Sequence, residues 1–199
     1  ERDYKKMKLL VTTRSGDEIT LMTKYTHPVI KKYADKCGAD FSILQENSEC
    51  SIREGKYHFK ILELYNLLDE YDRILCIDSD VLIKNDCPNL FDIVPYECIG
   101  SVYEDVGSRR EDRHNRMSSI QEKFGNIEWK EGYINTGVFL VSKPHKEIFK
   151  KINNQFWTGR GFDDVHLGYN INKNNFCVHE LSYKFHHMTM FSEEWNGSP

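Results

Sequence analysis

The sequence lacks the features that would point to a membrane protein or a nucleic-acid-binding protein. No apolar run reaches the length of a membrane span, and the charged N-terminal residues contain no signal-like apolar core. The formal net charge is -4, so no overall basic field attracts nucleic acid or anionic lipid. We therefore expect no transmembrane segment and no nucleic acid partner.

The six cysteines form no CxxC pair and follow no regular spacing. Cys76 lies inside an apolar run, where a free thiol packs as a small hydrophobe. This pattern is typical neither of a zinc site nor of a disulfide framework. We interpret all six cysteines as reduced and expect a cytoplasmic protein.

Neither an internal repeat nor a linker divides the 199 residues, of which 39% are apolar and 29% charged. These values predict one globular domain spanning residues 1–199, expected to be a monomer. Because the chain starts without Met and stops in a polar tail, this domain could be part of a longer chain.

Strand and helix patterns alternate along the chain. Apolar or β-branched runs predict strands at 8–13, 40–44, 74–77, 98–103, 137–141 and 176–181. Helical spacing and capping residues predict helices at 28–38, 56–71, 89–93, 146–156 and 163–172. This alternation predicts an α/β fold with a mostly parallel central sheet flanked by helices. Residues 104–119 are polar without periodicity, and we expect a functional lid or a partly disordered segment there.

Two carboxylates, Asp78 and Asp80, interrupt the apolar run RILCIDSDVLI at the end of a predicted strand. Ligands of open α/β sheets bind at the carboxyl ends of strands, and alternate strand residues point to the same side. Two adjacent carboxylates need a cation, and oxygen ligands suit Mg²⁺ or Mn²⁺. A turn would explain an isolated D-x-D, but the apolar residues on both sides favour a metal site.

Four segments, in this order, resemble motifs of glycosyltransferase family 8, the glycogenin and galactosyltransferase group. YDRILCIDSDVLI is similar to the D-x-D signature, GYINTGVFLVS to F-N-[ASG]-G-V, and GFDDVHLGYNIN to the D-Q-D-x-L-N helix start. YKFHHM falls where the family carries a metal-binding His. The resemblance spans residues 8–188 and implies a GT-A fold and a nucleotide-sugar glycosyltransferase. It extends to glycosyltransferases of chlorella viruses, which implies a viral protein in a host cytoplasm.

The resemblance implies Mn²⁺ as cofactor, with Mg²⁺ as the alternative, and a UDP-sugar as donor. The implied metal ligands are Asp78, Asp80 and one of His186 and His187, although Asp78 could instead hold the ribose. Neutral imidazole suits Mn²⁺ better than Mg²⁺. Without the aspartates, the two histidines would be interpreted as a solvated surface pair.

The resemblance also implies a set of residues that bind the nucleotide sugar. Arg14 and Lys60 would cradle the nucleotide, and Thr12 and Thr13 would meet the base. An ordinary exposed helix lysine explains Lys60 equally well. The full set is Thr12, Thr13, Arg14, Lys60, Asp78, Ser79, Asp80, Thr136 and Gly137.

The implied catalytic residues are Asn135, Asp163 and Asp164. The amide of Asn135 can bond sugar hydroxyls, and Gly137 lets the backbone approach a ligand. Helix capping would be a structural explanation for Asp163 and Asp164. Asp164 stands where the family has Gln, so it could stabilise an oxocarbenium-like centre or act as nucleophile or base. Retention of anomeric configuration is expected.

The segment after His187 lacks the Gly and Lys of the family pattern H-x-G-x-x-K-P-W. The missing positive charge could come from another part of a longer chain or from Lys184, Arg109 or Arg110. Aromatic residues that could stack on an acceptor sugar, although such residues more often form the core, are Trp129, Trp157 and Tyr169.

Three other protein classes fit the sequence less well. A haloacid-dehalogenase-like phosphatase would use Asp78 as nucleophile. In that class, however, the D-x-D lies near the N-terminus, whereas here a β-α-β unit precedes it. A pyrophosphorylase would show a Gly-rich loop after the first strand, and a non-catalytic carbohydrate-binding module needs no diphosphate metal site. We predict transfer of a hexose or deoxyhexose from a UDP-sugar to a glycan or other acceptor hydroxyl.

Overall fold

The computed structural model describes residues 7–15, 19–45 and 59–193, with the side chains of residues 59–62 excepted. The strands are β1 (Leu9–Arg14), β2 (Asp40–Leu44), β3 (Arg73–Ile77), β4 (Cys98–Tyr103), β5 (Ile134–Ser142) and β6 (Cys177–Glu180). The α-helices are α1 (Thr20–Cys37), α2 (Phe59–Glu70), α3 (Leu90–Ile93), α4 (Arg110–Phe124) and α5 (Phe162–Lys173). The 3₁₀ helices are Gly107–Arg109, Lys143–Phe149, Tyr183–Phe185 and Thr189–Ser192.

The six strands form one sheet in the order β2-β1-β3-β5-β4-β6. β1 pairs in parallel with β2 and β3, β4 pairs in parallel with β6, and β5 runs antiparallel between β3 and β4. The carboxyl ends of β1, β3 and β4 therefore meet the amino end of β5 at one edge, the strand-end edge. The predicted α/β fold is confirmed; the reversed direction of β5 was not predicted, because a fully buried strand is apolar in either direction.

Helices cover both faces of the sheet, because alternate strand residues point to opposite sides. Ile74 and Val141 pack in one core cluster together with Leu64 and Leu68 of α2. Leu75 and Leu140 belong to the cluster on the other face, which also contains Ile30, Tyr33 and Ala34 of α1. Within the described residues, no helix combines the length and the apolar character needed to cross a membrane.

Two predicted helices differ from the structure. α1 ends as predicted at Gly38, whose φ of 65° is left-handed, but begins at Thr20 and contains Pro28. Its first half buries Thr23 and Thr26, and these polar residues hide the helical periodicity. The helix predicted at 146–156 is instead a 3₁₀ helix over 143–149 that begins with a Ser142–His145 capping box.

The polar segment at 104–119 is not partly disordered, and its role as a functional lid stays a prediction. It forms the 3₁₀ helix Gly107–Arg109 and most of α4. α4 buries Arg113, Met117 and Ile120, which lie at helical spacing on one face. Because the first member of this face is an arginine held by ion pairs, a search for apolar residues alone does not find the periodicity.

The interpretation of all six cysteines as reduced is wrong. Cys98 and Cys177 are register partners on the parallel strands β4 and β6 and form a disulfide. Their separation of 79 residues hides this proximity in the sequence. Cys37, Cys76 and Cys87 form no disulfide within the described residues, and Cys50 lies outside them. Since disulfides are typical of oxidising compartments, cysteine usage no longer supports the cytoplasmic expectation.

Candidate active site

A cavity of about 280 Å³ opens at the strand-end edge, and we call it the strand-end cavity. Asp78 directly follows β3, and its N–H donates to the Gly137 carbonyl of β5 at 2.7 Å. This ladder contact aligns the D-x-D segment with the N-T-G segment. The predicted residues that line the cavity are Arg14, Asp78, Ser79, Asp80, Asn135, Thr136, Gly137, Asp163 and Asp164.

Asp78 and His186 approach each other beside Gly137. A Cβ atom at Gly137 would lie 2.4 Å from Cε1 of His186 and 3.0 Å from Oδ2 of Asp78. Only glycine therefore leaves room for both side chains. One carboxylate and one imidazole are donors that suit Mn²⁺. Asp80 is exposed at the rim, and no three His, Cys, Asp or Glu side chains in the described parts of the chain form a complete metal cluster.

The two adjacent histidines have different surroundings. His186 is half-buried and faces the strand-end edge. His187 is exposed, hydrogen-bonds the Ser192 hydroxyl at 2.9 Å, and packs against the rings of Tyr183 and Phe191. The donor set at the edge thus includes the imidazole of His186 and not that of His187.

A groove of about 750 Å³ adjoins Asp80 on the side of the C-terminal segment, and we call it the C-terminal groove. Lys184 and Arg109 both line it, together with His186 and His187. Arg110 is not among its lining residues and lies 3.8 Å from Glu131 at the surface. Of the three candidate cations, the structure brings two to the groove.

The prediction that Thr12 and Thr13 contact a base is wrong, because neither residue has exposed surface. The Thr12 hydroxyl donates to a β2 carbonyl at 3.1 Å, and the Thr13 hydroxyl lies 3.2 Å from that of Ser79. Ser79 in turn donates to the Arg14 carbonyl at 2.6 Å. These buried hydroxyls position Arg14. The side chain of Lys60 lies outside the described residues.

Asn135 uses both ends of its amide within the protein. Its Nδ2 donates to Glu104 at 2.9 Å, and its Oδ1 accepts the Gly137 N–H at 2.8 Å. The amide thereby holds Gly137 in the position that admits Asp78 and His186. These bonds give Asn135 a positioning role. They use one of its two N–H groups and one lone pair of its oxygen, so the bonding of sugar hydroxyls by this amide stays a prediction.

Glu104 is a buried residue of the site that the sequence analysis missed. It follows β4 as Asp78 follows β3, and this shared pattern was the available signal. Its carboxylate accepts hydrogen bonds from Arg113, Asn135 and Arg109. Burial alone would raise the pKa of Glu104, but these three donors together lower it below the ordinary value.

Asp163 and Asp164 lie in the first turn of α5 but turn toward β5. The helix N-cap, Gly161, makes no side-chain capping bond. Oδ1 of Asp164 accepts the Thr136 N–H at 2.9 Å and the Thr136 hydroxyl at 2.7 Å, and that hydroxyl lies 3.1 Å from Asp163. Burial, and next the charge of Asp163, raise the pKa of Asp164 to about 8, although the Thr136 bonds oppose this shift. The raised pKa favours the protonated form of Asp164, and in that form the side chain can donate a hydrogen bond.

The three aromatic residues considered for acceptor stacking, Trp129, Trp157 and Tyr169, are all buried in one core cluster. The indole of Trp157 donates to the Arg160 carbonyl at 3.0 Å, and the Tyr169 hydroxyl donates to the carbonyls of Phe124 and Gly125. They therefore form part of the core, which was the favoured of the two interpretations, and do not offer a face to an acceptor sugar.

This edge, with its acidic residues and its mixed sheet, is the architecture of a GT-A-fold glycosyltransferase. The chain belongs to glycosyl transferase family 8, whose sequence profile matches residues 9–148. It is therefore a glycosyltransferase, and the phosphatase alternative is not supported. The match includes the D-x-D and N-T-G segments but ends before Asp163, so it does not cover Asp163, Asp164 or His186. No curated protein matches the chain.

Solved structures of glycosyltransferases share the fold. One is a glycosyltransferase involved in glycosylation of the major capsid of PBCV-1, with TM-score 0.53, 16% identity, and coverage of 87% of this chain and 82% of that one. Mouse xyloside xylosyltransferase 1 has TM-score 0.54 and 10% identity over 94% and 92% of the two chains. A Drosophila β1,4-galactosyltransferase 7 mutant in complex with manganese, UDP-Gal and xylobiose has TM-score 0.51 and 14% identity over 92% and 67%.

Proposed function

We propose that the chain transfers a hexose or deoxyhexose from a UDP-sugar to an acceptor hydroxyl, with Mn²⁺ as cofactor and with retention of configuration. The observation that carries this proposal is the approach of Asp78 and His186 beside Gly137 in a family 8 chain. Manganese and UDP-Gal in the complex of the similarly folded Drosophila enzyme add support.

Asp78 and His186, joined from the rim by Asp80, are the residues that would hold the ion. When bound, the ion supplies a Lewis acid that takes up negative charge on the departing diphosphate. Arg14 in the wall of the strand-end cavity and the two cations of the C-terminal groove, Lys184 and Arg109, would balance the remaining phosphate charge.

Transfer breaks the bond between the anomeric carbon and the diphosphate, and the electron pair leaves with UDP. The acceptor oxygen forms the new bond to carbon and loses its proton. Asp163 offers a carboxylate that can accept this proton or stabilise positive charge at the anomeric carbon. Asp164, whose pKa is raised, can in its protonated form donate a hydrogen bond in the way a glutamine amide does.

The proposal is tested by measuring UDP and UDP-sugar binding by calorimetry with and without Mn²⁺. We expect Mn²⁺-dependent UDP binding in the native protein and slow UDP-sugar hydrolysis without acceptor. Asp78→Ala and Asp80→Ala should lose the Mn²⁺-dependent part. Asp35→Ala, which removes an exposed helix carboxylate paired with Lys31, is the matched control and should bind as the native protein does. Turnover of a generic phosphate ester without affinity for UDP would contradict the proposal.

A further inference from the structure

A second cavity lies against Asp163 and Asp164, and we call it the arginine cavity. Its volume is about 580 Å³. Of the described residues that line it and the strand-end cavity, the two cavities share only Asp163 and Asp164. A donor sugar in one cavity and a second ligand in the other would therefore meet at these carboxyl groups. The lining residues are Arg116, Thr158, Gly159, Arg160, Gly161, Phe162, Asp163 and Asp164.

The arginines of this cavity belong to a group of ion pairs with excess positive charge. Arg116 and Arg160 share the single carboxylate of Asp112, at 2.8 Å and 2.7 Å. Asp112 also pairs with Arg113, which shares Glu104 with Arg109. Four guanidinium groups thus face two carboxylates within this group. The cavity itself is lined by two of these arginines, Arg116 and Arg160, and also by Asp163 and Asp164. The excess positive charge belongs to the wider ion-pair group, and it makes the exposed guanidinium of Arg160 suited to an additional anion.

Both cavity arginines retain hydrogen-bonding capacity. The Arg160 side chain is 79% exposed, so most of its donors face solvent. Nε of Arg116 is buried and has no hydrogen-bond partner in the described parts of the chain. A buried donor without a partner is costly unless a ligand or water satisfies it.

The backbone at the mouth of the cavity is held in uncommon conformations. Gly161 has a φ of 84°, and a Cβ there would lie 2.4 Å from the Tyr133 hydroxyl and 3.2 Å from Cδ of Arg116. Phe162, the next residue, has a φ of 35° and an exposed ring. A positive φ is unusual for an aromatic residue and is found at ligand-binding segments. The ring offers an apolar face on which a sugar can stack.

We propose that the arginine cavity binds the acceptor, and that the acceptor is a saccharide with an anionic substituent, such as a carboxylate, sulfate or phosphate. The reacting hydroxyl lies toward Asp163 and Asp164, and the anionic group pairs with Arg160 and Arg116. The acceptor role rests on the proposed function, whereas the preference for an acidic saccharide rests on the cavity alone.

The test compares the binding of methyl glucuronide and methyl glucoside, which differ in one carboxylate, to the chain with Mn²⁺ and UDP present. We expect the native protein to bind the glucuronide about tenfold more tightly, because a charge-assisted hydrogen bond contributes at this level. Arg160→Gln should remove the preference, and Arg160→Lys should keep part of it. Arg110→Gln removes an exposed arginine outside the cavity and should retain the full preference.

Equal binding of both sugars, binding of neither, or an unchanged preference in Arg160→Gln would each overturn the inference. UDP binding is measured separately in each variant. If the native protein does not bind UDP, the proposed function fails, while the ratio of the two saccharide affinities still decides whether the cavity selects acidic sugars. Raising the salt concentration should weaken glucuronide binding and leave glucoside binding unchanged.

Discussion

Glu104 and Asp164 are two carboxyl groups at the same edge of the sheet whose pKa values shift in opposite directions. Donors from Arg113, Asn135 and Arg109 outweigh burial and lower the pKa of Glu104. The pKa of Asp164 is raised to about 8, because burial and the charge of Asp163 act in the same direction. Only the two hydrogen bonds from Thr136 oppose this shift. The neighbours of a carboxyl group, and not burial alone, decide whether its pKa is lowered or raised in the fold.

The largest expected effect comes from removing the buried carboxylate of Glu104. Glu104→Ala leaves the buried guanidinium of Arg113 with Asp112 as its remaining carboxylate and should destabilise the protein by about 3–5 kcal/mol. Urea unfolding measures this loss. Glu131→Ala removes an exposed carboxylate beside α4 and should change stability by less than about 0.5 kcal/mol. Equal losses of unfolding free energy in the two variants would show that Glu104 does not stabilise the fold more than an exposed carboxylate does.

The disulfide links the first residue of β4, Cys98, to β6, whereas Glu104 follows the last residue of β4. It closes a sequence separation of 79 residues, and Cys177→Ser should lower the free energy of unfolding by about 2–4 kcal/mol. A reductant should lower the stability of the native protein to the level of this variant and leave the variant unchanged. A native protein that is insensitive to reductant would argue against a stabilising disulfide.

The raised pKa of Asp164 should make stability depend on pH in the opposite sense to that of a paired carboxylate. Since its pKa rises from 3.8 in the unfolded chain to about 8 in the folded one, the folded state binds the extra proton between these values. The contribution of Asp164 to the free energy of unfolding is full below pH 3.8 and is lost as the pH rises through 8.

Asp164→Asn removes this titration. Between pH 6 and pH 7 the native protein should lose about 1 kcal/mol relative to the variant, as measured by urea unfolding at each pH. Asp92→Asn, an exposed carboxylate on α3, should keep the native pH dependence. Parallel curves for Asp164→Asn and the native protein would mean that Asp164 is ionised in the fold.

Much of the fold and part of the site could be predicted from the sequence, because strand ends that change from apolar to polar are visible there. Asp78 was found in this way, whereas Asn135 was found through the resemblance of its segment to a family 8 motif. The direction of β5 could not be predicted, since apolar runs carry no direction. α4 was missed because its buried face begins with an arginine, and its arginines also form the second cavity only through tertiary contacts.

The roles of adjacent residues were the least predictable part of the site. Asp78 and Asp80 share a strand face in the sequence pattern, yet Asp78 lies with His186 beside Gly137, whereas Asp80 is exposed at the rim. Thr12 and Thr13 lie on the same strand as Arg14 but have no exposed surface. Such differences depend on which side chains the neighbouring strand and the C-terminal segment bring close, and sequence spacing does not record them.

The most direct measurement of the central claim is a Mn²⁺ titration in the presence of UDP, compared between His186→Ala and His187→Ala. The proposed site predicts that His186→Ala weakens Mn²⁺ binding at least about tenfold, because a ligand is lost, while His187→Ala stays within about twofold of the native protein. Equal effects of the two substitutions, or no effect of either, would contradict a metal site at the strand-end edge.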